Sequence, residues 1–165
     1  MKSYFVSTYE IHEETLALYP HRDVEYQTKV IEMEAVYYVK EPPLRIIEQS
    51  CKLNGASYAG RREWAAYVTK HTYKLPILIQ ERGSMIASPT HSPEHIDCIW
   101  ILTAHVTDLY PDRTGPDEKT TIHFHTGLKL TLPVSYASFR SQLLVSRACL
   151  GYFQARSLRH KPKNY

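Results

Sequence analysis

The sequence is short of the features that define several large protein classes. No apolar run approaches the ~18 residues a membrane-spanning helix requires, so a soluble chain is expected. Cysteine is scarce: Cys51, Cys98 and Cys149 are odd in number and widely spaced, which suits reduced, buried thiols better than a disulfide framework or a zinc knuckle. The opening MKSYFVSTYEIHEE turns acidic where a secretion signal needs an unbroken apolar core, and the expected location is the cytoplasm. Acidic side chains are missing altogether from Lys119 onward, where eight Lys/Arg stand uncompensated, whereas residues 1–50 carry five Lys/Arg against nine Asp/Glu. A net charge of only +3 therefore conceals an acidic front and a basic rear. The basic part is suited to steering a phosphate backbone into contact.

With 165 residues, 43% of them apolar and 22% charged, the chain can bury one good core and has the composition of a globular protein rather than a disordered one. The expectation is a single domain over residues 1–156, followed by a basic, Pro-interrupted tail over 157–165 that stays mobile until it meets phosphate.

The most concentrated stretch is residues 50–74, SCKLNGASYAGRREWAAYVTKHTYK. Lys52, Arg61, Arg62, Lys70 and Lys74 face only Glu63, and Tyr58, Trp64, Tyr67 and Tyr73 interleave flat rings among them. Cations alternating with planar groups suit a polyanion that itself carries planar groups, nucleic acid before most alternatives. The plainer reading is a pair of surface helices with core aromatics and merely solvated charges.

SCKLNGASYAGRR, the following VTKHTYKLPILI and the later LTLPVSYASF together resemble the ComK family, competence transcription factors of Gram-positive bacteria. The similarity runs from about residue 16 to residue 156. It implies a DNA-binding activator that recognises paired A/T-rich boxes of double-stranded DNA, largely through the minor groove, as dimers that combine on one site. It also implies a bacterial, nucleoid-associated protein. Family members commonly continue into a further segment implicated in activation and in recognition by the adaptor of a Clp protease. This sequence ends before it, which sets a second reading beside the first: a short ComK-like interaction module that pairs with a full-length regulator without activating transcription.

Local signals give an α+β fold, an antiparallel β-rich domain with a central helical pair and a C-terminal helix packed on the sheet. Residues 4–39 read as an antiparallel meander, with Val30, Glu32, Glu34 and Val36 alternating against Ile31, Met33 and Ala35. The acid-rich side of that meander is expected to be exposed and to point away from DNA. Pro42-Pro43 opens a helix over 43–53 and Asn54-Gly55 stops it; Ser57 caps a second helix over 58–71. LPILIQ and MIAS flank a hairpin turn at 81–84, residues 88–97 form a loop, 98–109 read as one long strand, and Thr126-Gly127 turns a second hairpin over 120–132. Phe139, Leu143, Leu150 and Phe153 form an apolar stripe on a final helix over 135–156, with Arg140 and Arg147 beside it.

Other chemistries find little footing. The helical pair superficially suggests a helix-turn-helix, but Gly60 and the Tyr/Trp content do not make a recognition helix. Gly55 and Gly60 followed by Arg-Arg lack the Lys-Ser/Thr of a P-loop. His91, His95 and Cys98, and His123 with His125 projecting from one strand face, lack a fourth ligand, so no metal or other cofactor is expected. Cys51 lies in an apolar helical pattern and no nucleophile or acid/base constellation is visible, so no enzyme activity is expected.

The expected DNA contacts are therefore Arg61 and Arg62 for groove entry or close backbone contact, then Lys52, Lys70 and Lys74. Arg147, Arg156, Arg159, Lys161 and Lys163 are expected on charge alone to make nonspecific phosphate contacts.

Overall fold

The computed structural model describes residues 1–82 and 85–159, with side chains through Arg156. Its spine is a seven-stranded sheet built from β1 (Lys2–Val6), β2 (Thr15–Pro20), β3 (Thr28–Glu32), β4 (Ala35–Val39), β5 (Ile77–Gln80), β6 (Met85–Pro89) and β7 (Trp100–Leu102), in the order β1-β4-β3-β2-β7-β6-β5. A second sheet holds β8 (Val106–Asp112), β9 (Lys119–Phe124) and β10 (Lys129–Leu132) in the order β10-β9-β8. Helices α1 (Pro43–Leu53), α2 (Tyr58–Thr69) and α3 (Tyr136–Arg159) complete an α+β fold.

Period-two geometry sends alternate side chains of the large sheet to opposite faces, and each face has its own core. Leu18, Val30, Ile77, Ala87, Trp100 and Leu102 meet Ile46, Ile47 and Cys51 of α1. Ala17, Ile31 and Ile101 meet Ile122, Phe124 and Leu132 of the small sheet and Phe139 and Leu143 of α3. A third cluster joins Ala65 of α2 to Leu78, Ile86 and Cys149, so α2 sits at the β5 end of the sheet, against α3. Aromatic edges close that contact: Trp64 lies 6.4 Å from Tyr152 and 6.3 Å from Phe153 between ring centroids.

Several expectations change. The front of the chain is not a simple meander, because β1 returns to pair with β4 in parallel while β2, β3 and β4 run antiparallel. The supposed alternation from Val30 to Val36 is broken by a turn at Met33-Glu34, and Val30, Ile31 and Glu32 are all buried because both faces of β3 are covered. Glu32 is consequently not on a wet acidic face: it accepts from Tyr9 Oη (2.8 Å) and contacts His12 Nε2 (2.6 Å), and Tyr9 also bonds Thr15 (2.7 Å). Burial pushes the Tyr9 phenol well above its ordinary range, so it remains a donor. The long strand over 98–109 is two strands in different sheets, separated by a 3₁₀ turn at Thr103–His105 that carries the chain from one layer to the next. The stripe on α3 does cover the sheet through Phe139 and Leu143, while the helix runs on through Gly151 to Arg159. The tip of the first hairpin, residues 83–84, lies outside the described residues.

Candidate nucleic-acid interface

The helical pair is fixed by its turn. Asn54 ends α1, Ala56 N–H donates to Cys51 O (3.0 Å) and Gly55 N–H to Lys52 O (3.1 Å), the double closure that satisfies the last carbonyls. Gly55 takes φ +78°, a conformation that disfavours any side chain. Ser57 then caps α2, its Oγ accepting from Gly60 N–H at 3.0 Å, and a Cβ on Gly60 would sit 3.0 Å from that oxygen. The two glycines therefore serve the turn and the cap.

At 100° per residue the adjacent Arg61 and Arg62 point about a quarter-turn apart, and their environments diverge. Arg61 is turned inward: only 14% of its side chain is exposed, and an Nη–H donates to Glu81 Oε1 at 3.0 Å. Its Nε is buried without an acceptor among the described residues. Arg62 is exposed and has no carboxylate within ion-pair distance among the described residues. It lines a notch of about 30 Å³ with Tyr58, Thr72, Tyr73, Lys74 and Glu94.

The α2–β5 connection carries the rest of the cluster. Lys70 closes α2 with φ 60° and Lys74 follows with φ 49°, two non-glycine residues in the left-handed region within five positions. Such geometry is uncommon and persists where surrounding contacts impose it. Here Gln142 donates its side-chain N–H to Lys74 O, Lys74 Nζ donates to Ser138 Oγ at 3.4 Å, and the connection is thereby tied to α3. Each lysine lies against a ring: Lys70 Nζ is 4.5 Å from the Tyr67 centroid and Lys74 Nζ 5.7 Å from that of Tyr73. Both rings are open to solvent, Tyr67 at 68% and Tyr73 at 65%. The result is a loop anchored on α3 that sets two ammonium groups, that of Lys74 half-buried, and two open rings beside Arg62.

The remaining basic residues do not all join this group. Lys52 is exposed in the last turn of α1. On α3, Arg156 and Arg147 are nine positions apart, about half a turn of helix circumference. Arg147 is directed to the small sheet, donating to Val106 O at 3.4 Å, and Arg156 is exposed near the helix end. The side chain of Arg159, and Lys161 and Lys163 entirely, lie outside the described residues. No local pattern identifies Gln142, Ser138 and Glu81 as the residues that hold the loop and Arg61, because their partners are 20 to 68 positions away.

The candidate ligand groups are occupied with one another. His91 and His95 stack with centroids 5.0 Å apart, His91 Nδ1 meets Thr90 Oγ1 at 2.7 Å, and Cys98 Sγ–H donates to His91 O at 3.5 Å. His123 and His125 do not share a strand face: His123 packs on Tyr110, while His125, in the turn, contacts His105 at 2.7 Å. Among the described residues no group of three or more His, Cys, Asp or Glu is arranged to hold a metal ion. Burial pushes Cys51, Cys98 and Cys149 up to about 11, which keeps them as thiols.

Comparison with known proteins supplies an independent line. The family described as ComK protein matches residues 6–157. A curated relative, the competence transcription factor of Bacillus subtilis (strain 168), is 33% identical over 159 residues, covering 96% of this chain and 81% of its own. No solved structure matches significantly. Coverage of nearly the whole chain by the family, together with 33% identity to that relative, leads to one assignment: the chain belongs to the ComK family.

Proposed function

We propose that this protein is a sequence-selective DNA-binding regulator of competence transcription, reading paired A/T-rich boxes mainly through the minor groove as a dimer or higher oligomer. The observation that carries the reading is the group of exposed Arg62 and Lys70 with half-buried Lys74, none of which has a carboxylate within ion-pair distance among the described residues, set beside the open rings of Tyr67 and Tyr73. The curated relative's name, competence transcription factor, supports the same reading.

In this mechanism the long-range field brings the phosphates to the α2 end of the sheet. Lys70 and Lys74 then neutralise phosphates from a loop that needs no ordering on binding. Arg62 enters a narrow A/T minor groove, where the negative potential is concentrated, and selects by groove width as much as by base edges. Arg61 holds α2 to the β5–β6 hairpin through Glu81 and acts through position. Lys52 and Arg156 extend the phosphate contacts.

A gel shift on a two-box duplex tests groove and selectivity together. Replacing A·T by I·C pairs keeps the minor groove free of the exocyclic amine while giving the major groove a G·C-like pattern. Retained binding to the I·C duplex with loss on G·C boxes is expected. Equal loss on I·C and G·C boxes places the readout in the major groove, and equal competition by mixed-sequence DNA removes sequence selectivity.

A further inference from the structure

We propose that the free edge of β1 is a self-association surface, on which a second copy of this chain adds its own β1 antiparallel about a two-fold axis at Tyr4. The pairing itself needs no DNA; its use on paired boxes rests on the function proposed above.

Backbone geometry shows what this edge offers. Alternate residues of a strand turn their N–H and C=O to the same side. Lys40 N–H donates to Val6 O at 3.1 Å, so Val6, Tyr4 and Lys2 turn these groups toward β4. Those of Ser3 and Phe5 therefore point outward, and among the described residues no strand pairs with that side.

The other sheet edges carry features that discourage pairing. β5 is four residues long, shifts register between Leu78 and Gln80, and packs against both α1 and α2. β8 shifts register between Val106 and Asp108 and contains Pro111, and β10 is four residues long and begins at exposed Lys129. β1 has none of these. Its register with β4 is unbroken from Lys2 to Val6, it holds no proline, and its one charge, Lys2, stands at the end. Rings line it instead. Tyr4, 41% exposed, stacks on Tyr37 at 4.9 Å between centroids; Phe5, 63% exposed, stacks on Tyr38 at 5.1 Å and meets Tyr26 edge-on at 5.1 Å. These rings are braced from behind and open toward the edge.

A second copy fits this edge on three counts. With Tyr4 opposite the partner's Tyr4, Ser3 faces the partner's Phe5, and every outward amide and carbonyl of the two residues finds its complement. The two Lys2 side chains fall at opposite ends, each across from the partner's Val6, so like charges do not meet, while the Tyr4 rings become direct cross-strand neighbours and the Phe5 rings diagonal ones. The two-fold axis also consumes both open edges and leaves the blunted β5 outermost, so assembly closes at two. The cations beside α2, at the far end of each large sheet, then stay free to hold one box apiece.

Sedimentation of the full chain without DNA tests the pairing, and dimerisation in the micromolar range is expected. Ser3→Pro removes an outward N–H and no bond to β4, so it should weaken the dimer about tenfold or more and leave thermal unfolding unchanged. Tyr4→Cys should form an intermolecular disulfide on mild oxidation, because opposed Cα atoms of a non-hydrogen-bonded pair lie about 4.5 Å apart, and Lys2→Cys should not. Cys51, Cys98 and Cys149 are buried and do not compete. On DNA, Ser3→Pro should match wild type on a single-box duplex and bind a two-box duplex about fivefold or more weakly. A wild type that stays monomeric up to about 1 mM leaves the edge to a strand of some other chain and overturns the proposal. So does a dimer untouched by Ser3→Pro, equal crosslinking of Lys2→Cys, or undiminished two-box binding. Failure of wild type to select A/T-rich DNA would count against the proposed function alone, since sedimentation and crosslinking are read without DNA.

Discussion

The two ends of the large sheet treat charge in opposite ways. At the β1–β4 end, acids and bases neutralise one another: Lys40 meets Glu25 at 3.2 Å, Arg45 meets Glu41 at 3.5 Å, and Glu32 is taken up by Tyr9 and His12. At the β5–α2 end only Arg61 finds a carboxylate; Lys52, Arg62, Lys70 and Lys74 have none within 4.0 Å among the described residues. The bases Lys40 and Arg45 at the front of the molecule are thus paired, whereas four cations where α2 meets its neighbouring turns are not. Lack of a partner, more than number of charges, marks the interface.

The largest effect is expected from removing that excess. Changing Arg62, Lys70 and Lys74 together to Ala should weaken binding to an A/T-rich duplex about a hundredfold, from roughly 1 kcal/mol for each of the groove contact and the two phosphate contacts, in a fluorescence anisotropy titration. The corresponding loss of a paired charge at the other end, Arg45→Ala, should change affinity less than twofold. Comparable losses from both would erase the contrast.

The neighbouring arginines separate stability from binding. Arg61→Ala should cost about 2 kcal/mol, because it removes a buried stem and the link to Glu81. For a chain of this size that lowers the melting temperature by about 4–8 °C. Arg62→Ala should stay within about 0.5 kcal/mol of the wild-type stability while weakening DNA binding. A destabilised Arg62 variant with an unaffected Arg61 variant would reverse the assignment.

Smaller still is the effect of backbone strain at Lys70. Lys70→Gly loses the charge and relieves the left-handed conformation, so it should be more stable than Lys70→Ala by about 1 kcal/mol in urea unfolding, and the two should bind DNA equally weakly. The smallest effect is on pH. Burial, aided by the neighbouring His125, holds His105 below its ordinary range, and burial likewise lowers His91. The unfolded chain therefore takes up protons first, so stability should be full above about pH 6.5 and decline as pH falls through the depressed values. Substituting His105 by Gln should flatten that decline.

Local signals in the sequence located α1 to the residue, because Pro43, the apolar spacing and Asn54-Gly55 all act within one element. They placed both hairpins for the same reason. They could not place β1 beside β4, since parallel pairing leaves no turn to read, nor the break at Thr103–His105, where the apolar alternation continues although its two halves join different sheets. The candidate site was legible as a composition, cations among rings, but the different orientations of Arg61 and Arg62 depend on Glu81, and the posture of Lys74 depends on Gln142 and Ser138. Those are tertiary facts that no spacing within residues 50–74 encodes.

The most direct measurement is the salt dependence of binding to a two-box A/T-rich duplex, with wild type and the Arg62, Lys70 and Lys74 triple Ala variant compared. About five phosphate contacts per protomer give a log–log slope near −4 to −5, and the variant should lose about two of those units, one for each phosphate-binding lysine. Identical slopes for the two proteins would show that the unpaired cations beside α2 do not hold the duplex.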